Sequence, residues 1–147
     1  MVPLGTLLTP QQSSLYGFSS ETLSDLRKFR FASGRATKMQ AIIYTIDKES
    51  YDIRKDDEAT VYESIEELVE DLPDNSPRYV LLSYPFKLPD GRLKNPLVLI
   101  YWRPPTSLAN QMLYAGAVEQ FREKAGVSKL LEFQEEEDFE DIEDQLQ

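Results

Sequence analysis

The stretch SLANQMLYAGAVEQFREKAG, residues 107–126, decides how the rest of the chain is arranged. At about 100° per residue, Leu113, Tyr114, Ala117, Val118, Phe121 and Ala125 fall within one arc, the stripe that a core-facing helix needs. The spacing predicts one long amphipathic helix. Its opposite side carries Glu119 and Glu123. Met112 lies between them in phase, pointing away from the buried stripe, with Ala115 and Gly116 beside it. The helix therefore has a core face and, on its back, a low patch with one flexible apolar knob. A single exposed apolar residue is common and carries no function by itself.

The strongest strand signals lie just before this helix. RYVLLSYPF (78–86) and LKNPLVLIYW (93–102) are almost continuous apolar runs, which implies burial on both faces. Between them LPDGR (88–92) carries the Asp-Gly signature of a hairpin turn. Charged Lys87, Arg92 and Lys94, and the interrupting Pro85, Pro89 and Pro96, predict that the hairpin is long and projecting. Arg103-Pro104-Pro105 closes the strand and launches the helix. Beyond the helix, KLLEF (129–133) reads as a short final strand. The acidic segment 135–146 reads as a helix with Phe139, Ile142 and Leu146 on one side.

Towards the N-terminus, residues 1–14 are rich in Pro, Gln, Ser and Thr and read as a flexible arm. A first helix is expected from Ser20, a good cap, with Glu21 in its first turn and Leu23, Leu26 and Phe29 on its inner stripe. Ser33-Gly34 ends it. Arg27, Lys28, Arg30, Arg35 and Lys38 make this end basic, either as a solvated face or as a docking patch. MQAIIYTI (39–46) reads as a strand, and Tyr51 opens a second, more exposed one. Thr60-x-x-Glu63 reads as a capping box before a helix whose stripe is Val61, Ile65, Leu68, Val69 and Leu72. Helices on both faces of a doubly buried sheet give one three-layer domain over 15–147, of α/β type in the α+β sense.

Composition narrows the function. Of the 26 acids, nine fall between Glu132 and Asp144, where there is no cation, so the rest of the chain carries only −1 of the net −10. The acidity belongs to the tail, and it argues against nonspecific nucleic-acid or anionic-membrane binding, both of which need basic surface. There is no Cys and no His, which excludes disulfides, thiolate chemistry and thiol or imidazole metal ligation, and removes the commonest general base. No cofactor is expected. The start lacks a basic n-region and a long apolar core, and the longest apolar run, 97–102, is too short to span a bilayer. A soluble intracellular protein is the expectation.

The runs LPDNSPRYVLLSYPF, DGRLKNPLVLIYWRP, QMLYAGAVEQFREKAG and KLLEF together resemble the glia maturation factor family, with the D-N-S-P and V-L-I-Y-W runs most similar to fungal members. The resemblance covers residues 15 to the end. It implies the actin-depolymerising-factor homology fold, a central mixed sheet of about five strands with helices on both faces. It implies a binding protein and no enzyme. Members bind the actin-related protein 2/3 complex, inhibit branched nucleation and dissociate filament branches, with actin at the branch junction as a further partner. A monomer is expected, placed in the cytoplasm on the actin cytoskeleton, at cortical patches for a fungal member, with the nucleus as an alternative. The resemblance puts the partner surface on the back of the long helix and the chain before the first helix: Met112, Ala115, Gly116, Glu119, Arg122 and Glu123 with Leu15 and Tyr16. It adds a second surface on the hairpin: Lys87, Asp90, Arg92 and Lys94.

Two departures matter. Cofilins carry Lys-Met at the helix knob, where this chain has Gln111-Met112. An extension of about a dozen residues also replaces the regulatory Ser that cofilins keep just after the initiator Met. A cofilin-like direct actin binder or severing factor is the alternative within the binding class. In a different class, Asp56, Asp57 and Glu58 form the one acid cluster outside the tail and helices, the material a carboxylate-pair hydrolase would need in a cleft.

Overall fold

The computed structural model describes residues 15–57 and 60–147; the arm expected over 1–14, and Glu58, lie outside the described residues. Helix α1 (Ser20–Ser33) is capped one residue earlier than expected, by Ser19, whose hydroxyl accepts from the Thr22 amide at 3.0 Å. It leads into β1 (Gln40–Ile46) and the short β2 (Ile53–Lys55). Helix α2 (Ile65–Asp71) follows, then β3 (Arg78–Ser83). The hairpin strands are β4 (Phe86–Lys87) and β5 (Leu93–Lys94), and β6 (Leu97–Trp102) completes the pair with β3. Then come α3 (Leu108–Ala115), α4 (Val118–Ala125) and β7 (Lys129–Phe133). A 3-10 turn (Glu136–Phe139) and α5 (Ile142–Leu146) end the chain's described structure.

Five strands form one mixed sheet in the order β2-β1-β3-β6-β7. Every pair is antiparallel except β6 with β7, which α3 and α4 connect as a crossover. The apolar strands sort their residues by the period of two. Tyr79, Leu81, Leu99 and Tyr101 face one way, into a core closed by Leu26 and Phe29 of α1 and Tyr114, Ala117 and Phe121 of the crossover. Val80, Leu82, Val98, Ile100 and Trp102 face the other way, under Leu68 of α2, Leu72 at its C-cap, and Phe139, Ile142 and Leu146 of the tail. Both layers are real cores, as the continuous apolar runs require.

Three expectations shift. The N-cap of α2 is Ser64 and not Thr60: the Ser64 hydroxyl accepts from the Glu67 amide at 3.1 Å, and the Glu67 carboxylate accepts from the amide of Glu63, the residue before the cap, at 3.4 Å. Residues just before it are used otherwise, because Tyr62 forms a two-hydrogen-bond bridge with Ala41 at 2.8 and 2.9 Å. The strand expected over 78–86 stops at Ser83, since Pro85 has no amide to donate; Phe86 and Lys87 pair separately with Leu93 and Lys94. The single long helix over 107–126 is two helices, broken at Gly116 and Ala117.

Candidate partner-binding face

The break in the crossover helix has a cause outside the helix. In a continuous helix the carbonyls of Leu113 and Tyr114 would accept from the amides of Ala117 and Val118. Here the Tyr16 hydroxyl donates to the Leu113 carbonyl at 2.9 Å, and the Tyr79 hydroxyl donates to the Tyr114 carbonyl. Ala117 turns back to Tyr114 by a tighter bond at 3.2 Å. Tyr114 is held from its other end, its hydroxyl accepting from the Ile46 amide at 3.1 Å and pairing with Thr45 at 2.9 Å. Burial pushes the Tyr16 and Tyr79 phenols above their ordinary range, with the neighbouring Tyr51 adding to the effect at Tyr16, so both stay protonated donors.

Gly116 is small for a reason that helical phase did not show. A Cβ there would lie 2.5 Å from the Tyr16 hydroxyl oxygen. Tyr16 in turn stacks on Tyr51 with ring centroids 5.8 Å apart. Its chain is sewn to β2, Gly17 donating to Tyr51 at 3.0 Å and accepting from Ile53 at 2.8 Å. Tyr51 adopts the left-handed region, φ 65°, to close this turn. The N-terminal flank is thus fixed against the helix break.

The helix back has the predicted character. Met112 is 66% exposed, and Ala115, Gly116, Glu119 and Glu123 are exposed with it. Leu15 on the flank is 52% exposed. Tyr16 differs from this group: at 8% exposure it supports the face from beneath and does not line it. Arg122 is tied down, donating to the carbonyls of Val127 at 3.3 Å and Ser128 at 2.9 Å and pairing with Glu119 at 3.4 Å. Those bonds tie the end of α4 to the loop that leads into β7.

One feature of this face escaped the sequence reading. Leu108, one turn before Met112, is 69% exposed. Between the two and the strand ends opens a cleft of about 340 Å³, walled by Tyr101, Pro104, Pro105, Leu108, Met112 and Ala115. Arg103, paired with Glu132 at 2.6 Å and lying over the Tyr101 ring, marks its edge. The i, i+4 spacing of Leu108 and Met112 was the available signal. The face therefore offers two adjacent apolar projections beside a socket, rather than one isolated knob.

The hairpin leaves the sheet at the opposite end of β6 from Pro104-Pro105. Gly91, at φ 92°, closes the turn, and Leu88 accepts its amide at 2.9 Å. Lys87, Asp90 and Arg92 are exposed, the last two paired at 2.8 Å. Lys94 is not free as the projecting-loop reading implied: its ammonium donates to the carbonyls of Leu146 and Gln147, each at 3.1 Å, and locks the hairpin root to the tail.

Asp56 faces the Arg78 guanidinium at 3.6 Å, and neither Asp56 nor Asp57 borders the cleft beside Met112. Among the described residues no group of acids is placed to hold a metal ion, and no helix is long and apolar enough to cross a membrane.

A single mixed sheet between two helical layers, with a broken crossover helix presenting an apolar projection, defines a binding module of the actin-depolymerising-factor homology class. The profile of the cofilin/tropomyosin-type actin-binding proteins matches residues 16–147. Protein AIM7 of Saccharomyces cerevisiae is 40% identical over 146 residues, covering 92% of this chain and 98% of that protein. Human glia maturation factor beta is 34% identical over 121 residues, covering 82% and 83%. Actin-depolymerizing factor 10 of Arabidopsis thaliana is 28% identical over 102 residues, covering 68% and 73%. The solution structure of glia maturation factor from Caenorhabditis elegans superposes with a TM-score of 0.69 at 35% identity, covering 84% of this chain and 88% of that one. The chain belongs to the cofilin/tropomyosin-type actin-binding family, a family of non-enzymatic actin regulators, and within it resembles the glia maturation factors.

Proposed function

We propose that the chain binds the actin-related protein 2/3 complex, inhibits branched actin nucleation and promotes debranching, acting as a monomer in the cytoplasm at cortical actin. The observation that carries this is the exposed Met112 on a helix whose other side is core. A flexible thioether beside small residues can enter an irregular cleft of a partner. Leu108 adds a second anchor on the same side. The likeness to glia maturation factors supports this choice of partner, and Gln111, in place of a cation, argues against a purely cofilin-like contact. The likeness to an actin-depolymerizing factor favours the second reading, a direct binder of actin.

The test is a parallel pull-down of the wild-type chain and Met112→Asp against purified actin and purified actin-related protein 2/3 complex. Capture of the complex by the wild type alone supports the proposal. Capture of actin and not the complex overturns it in favour of the second reading.

A further inference from the structure

Between Asp25 and Asp47 the chain holds five cations, Arg27, Lys28, Arg30, Arg35 and Lys38, and no acid, although the whole carries −10. Lys38 is neutralised by Glu63 at 3.0 Å. Arg27, Lys28 and Arg35 are exposed and make no ion pair with a described residue. At about 100° per residue Arg27, Phe31, Arg35 and Lys28 share one arc of α1 and the turn after it. Phe31 stands among them 63% exposed. It is not a stray side chain, because Arg30 lies over its ring at 5.6 Å and reaches the Ala125 carbonyl, at the end of α4, at 3.5 Å. The ring is held outward, at the meeting of two helices.

We propose that this end of α1 is a docking surface, separate from the Met112 face, for an acidic protein segment that carries an apolar side chain. Like charges crowded on one helix face repel, and a partner's carboxylates relieve that cost while Phe31 supplies the desolvated anchor. Arginine beside an exposed aromatic is the composition of an interface centre. A bilayer fits less well, since the chain's overall negative charge opposes approach to an anionic leaflet.

The full chain is titrated against a fluorescent peptide in which Glu and Asp flank a central Leu and Phe. Binding is expected that weakens with salt, falls about tenfold or more in Phe31→Ala and in Arg27→Glu/Lys28→Glu, and is unchanged in Met112→Asp. Circular dichroism confirms folding of each variant, all being changes at exposed positions. No peptide binding, undiminished wild-type affinity in either the Phe31 or the charge variant, or loss in Met112→Asp overturns the assignment. Stronger binding to vesicles of phosphatidylcholine and phosphatidylserine than to the peptide also overturns it, in favour of a membrane.

Discussion

The Tyr16 hydroxyl lies 2.9 Å from the Leu113 carbonyl and ties the N-terminal flank to the break in the crossover helix. The same oxygen is what forbids a side chain at Gly116. Tyr16→Phe is expected to cost about 1–2 kcal/mol, the penalty for a carbonyl deprived of its buried donor, measured by denaturant unfolding. Gly116→Ala is expected to be destabilising alone and milder in the Tyr16→Phe background, where the clashing oxygen is gone. Strict additivity of the two would show that they do not meet.

Tyr16 and Tyr79, whose phenols are both raised by burial, contribute to an alkaline limit. The unfolded chain loses tyrosine protons near pH 10, whereas folded Tyr16 and Tyr79 hold theirs to higher pH. Their stabilisation is therefore complete below about pH 10 and declines as pH climbs towards the folded values. Melting temperature against pH is expected to drop more steeply above that point in the wild type than in Tyr16→Phe; parallel curves would contradict the linkage.

Met112→Asp should melt with the wild type, because the side chain is solvent-facing, yet lose the partner. Leu108→Asp should do the same. Truncation of either to Ala is expected to weaken binding by about 2 kcal/mol, roughly thirtyfold, if both are central anchors. Unfolding of Met112→Asp would return that residue to the core, and a folded variant with undiminished affinity would remove this face from the interface.

The tail is structural. Phe139, Ile142 and Leu146 are all buried over Trp102 and Phe133. Removing residues 135–147 is expected to cost roughly 4 kcal/mol or more, and Phe139→Ala alone about 3 kcal/mol, seen as earlier denaturant midpoints. An unchanged midpoint would mean that the acidic segment is undocked in solution.

At the hairpin, Lys87→Ala with Arg92→Ala should leave stability nearly intact, since both are exposed. Lys94→Ala should instead loosen the tail, whose last carbonyls it holds. Debranching that falls further than binding in the Lys87/Arg92 variant would give the hairpin its own role, and a parallel fall or no fall would deny it.

The sheet and its two cores were legible because β3 is apolar from Tyr79 to Leu82 and β6 from Leu97 to Trp102, a pattern that admits burial on both faces and little else. The exposed side of α3 was legible for a similar reason: Met112 is out of phase with a six-residue stripe. The break after Ala115 was not, because the groups that cause it, Tyr16 and Tyr79, are remote in sequence and act on backbone carbonyls, which leave no periodicity. Arg122 and Lys94 looked like free charges for the same reason, since their partners are main-chain oxygens. Leu108 was overlooked although its spacing from Met112 was visible, since a residue in the first turn of a helix has no earlier turn to set its phase.

Trp102 is the chain's sole tryptophan. Its indole donates to the Pro73 carbonyl at 2.6 Å and its ring lies 6.1 Å from that of Phe139, on the sheet face away from α3 and α4. The molecule thus carries an intrinsic optical label confined to one layer: release of the acidic segment should redden its emission, whereas events at the Met112 surface should leave the spectrum still.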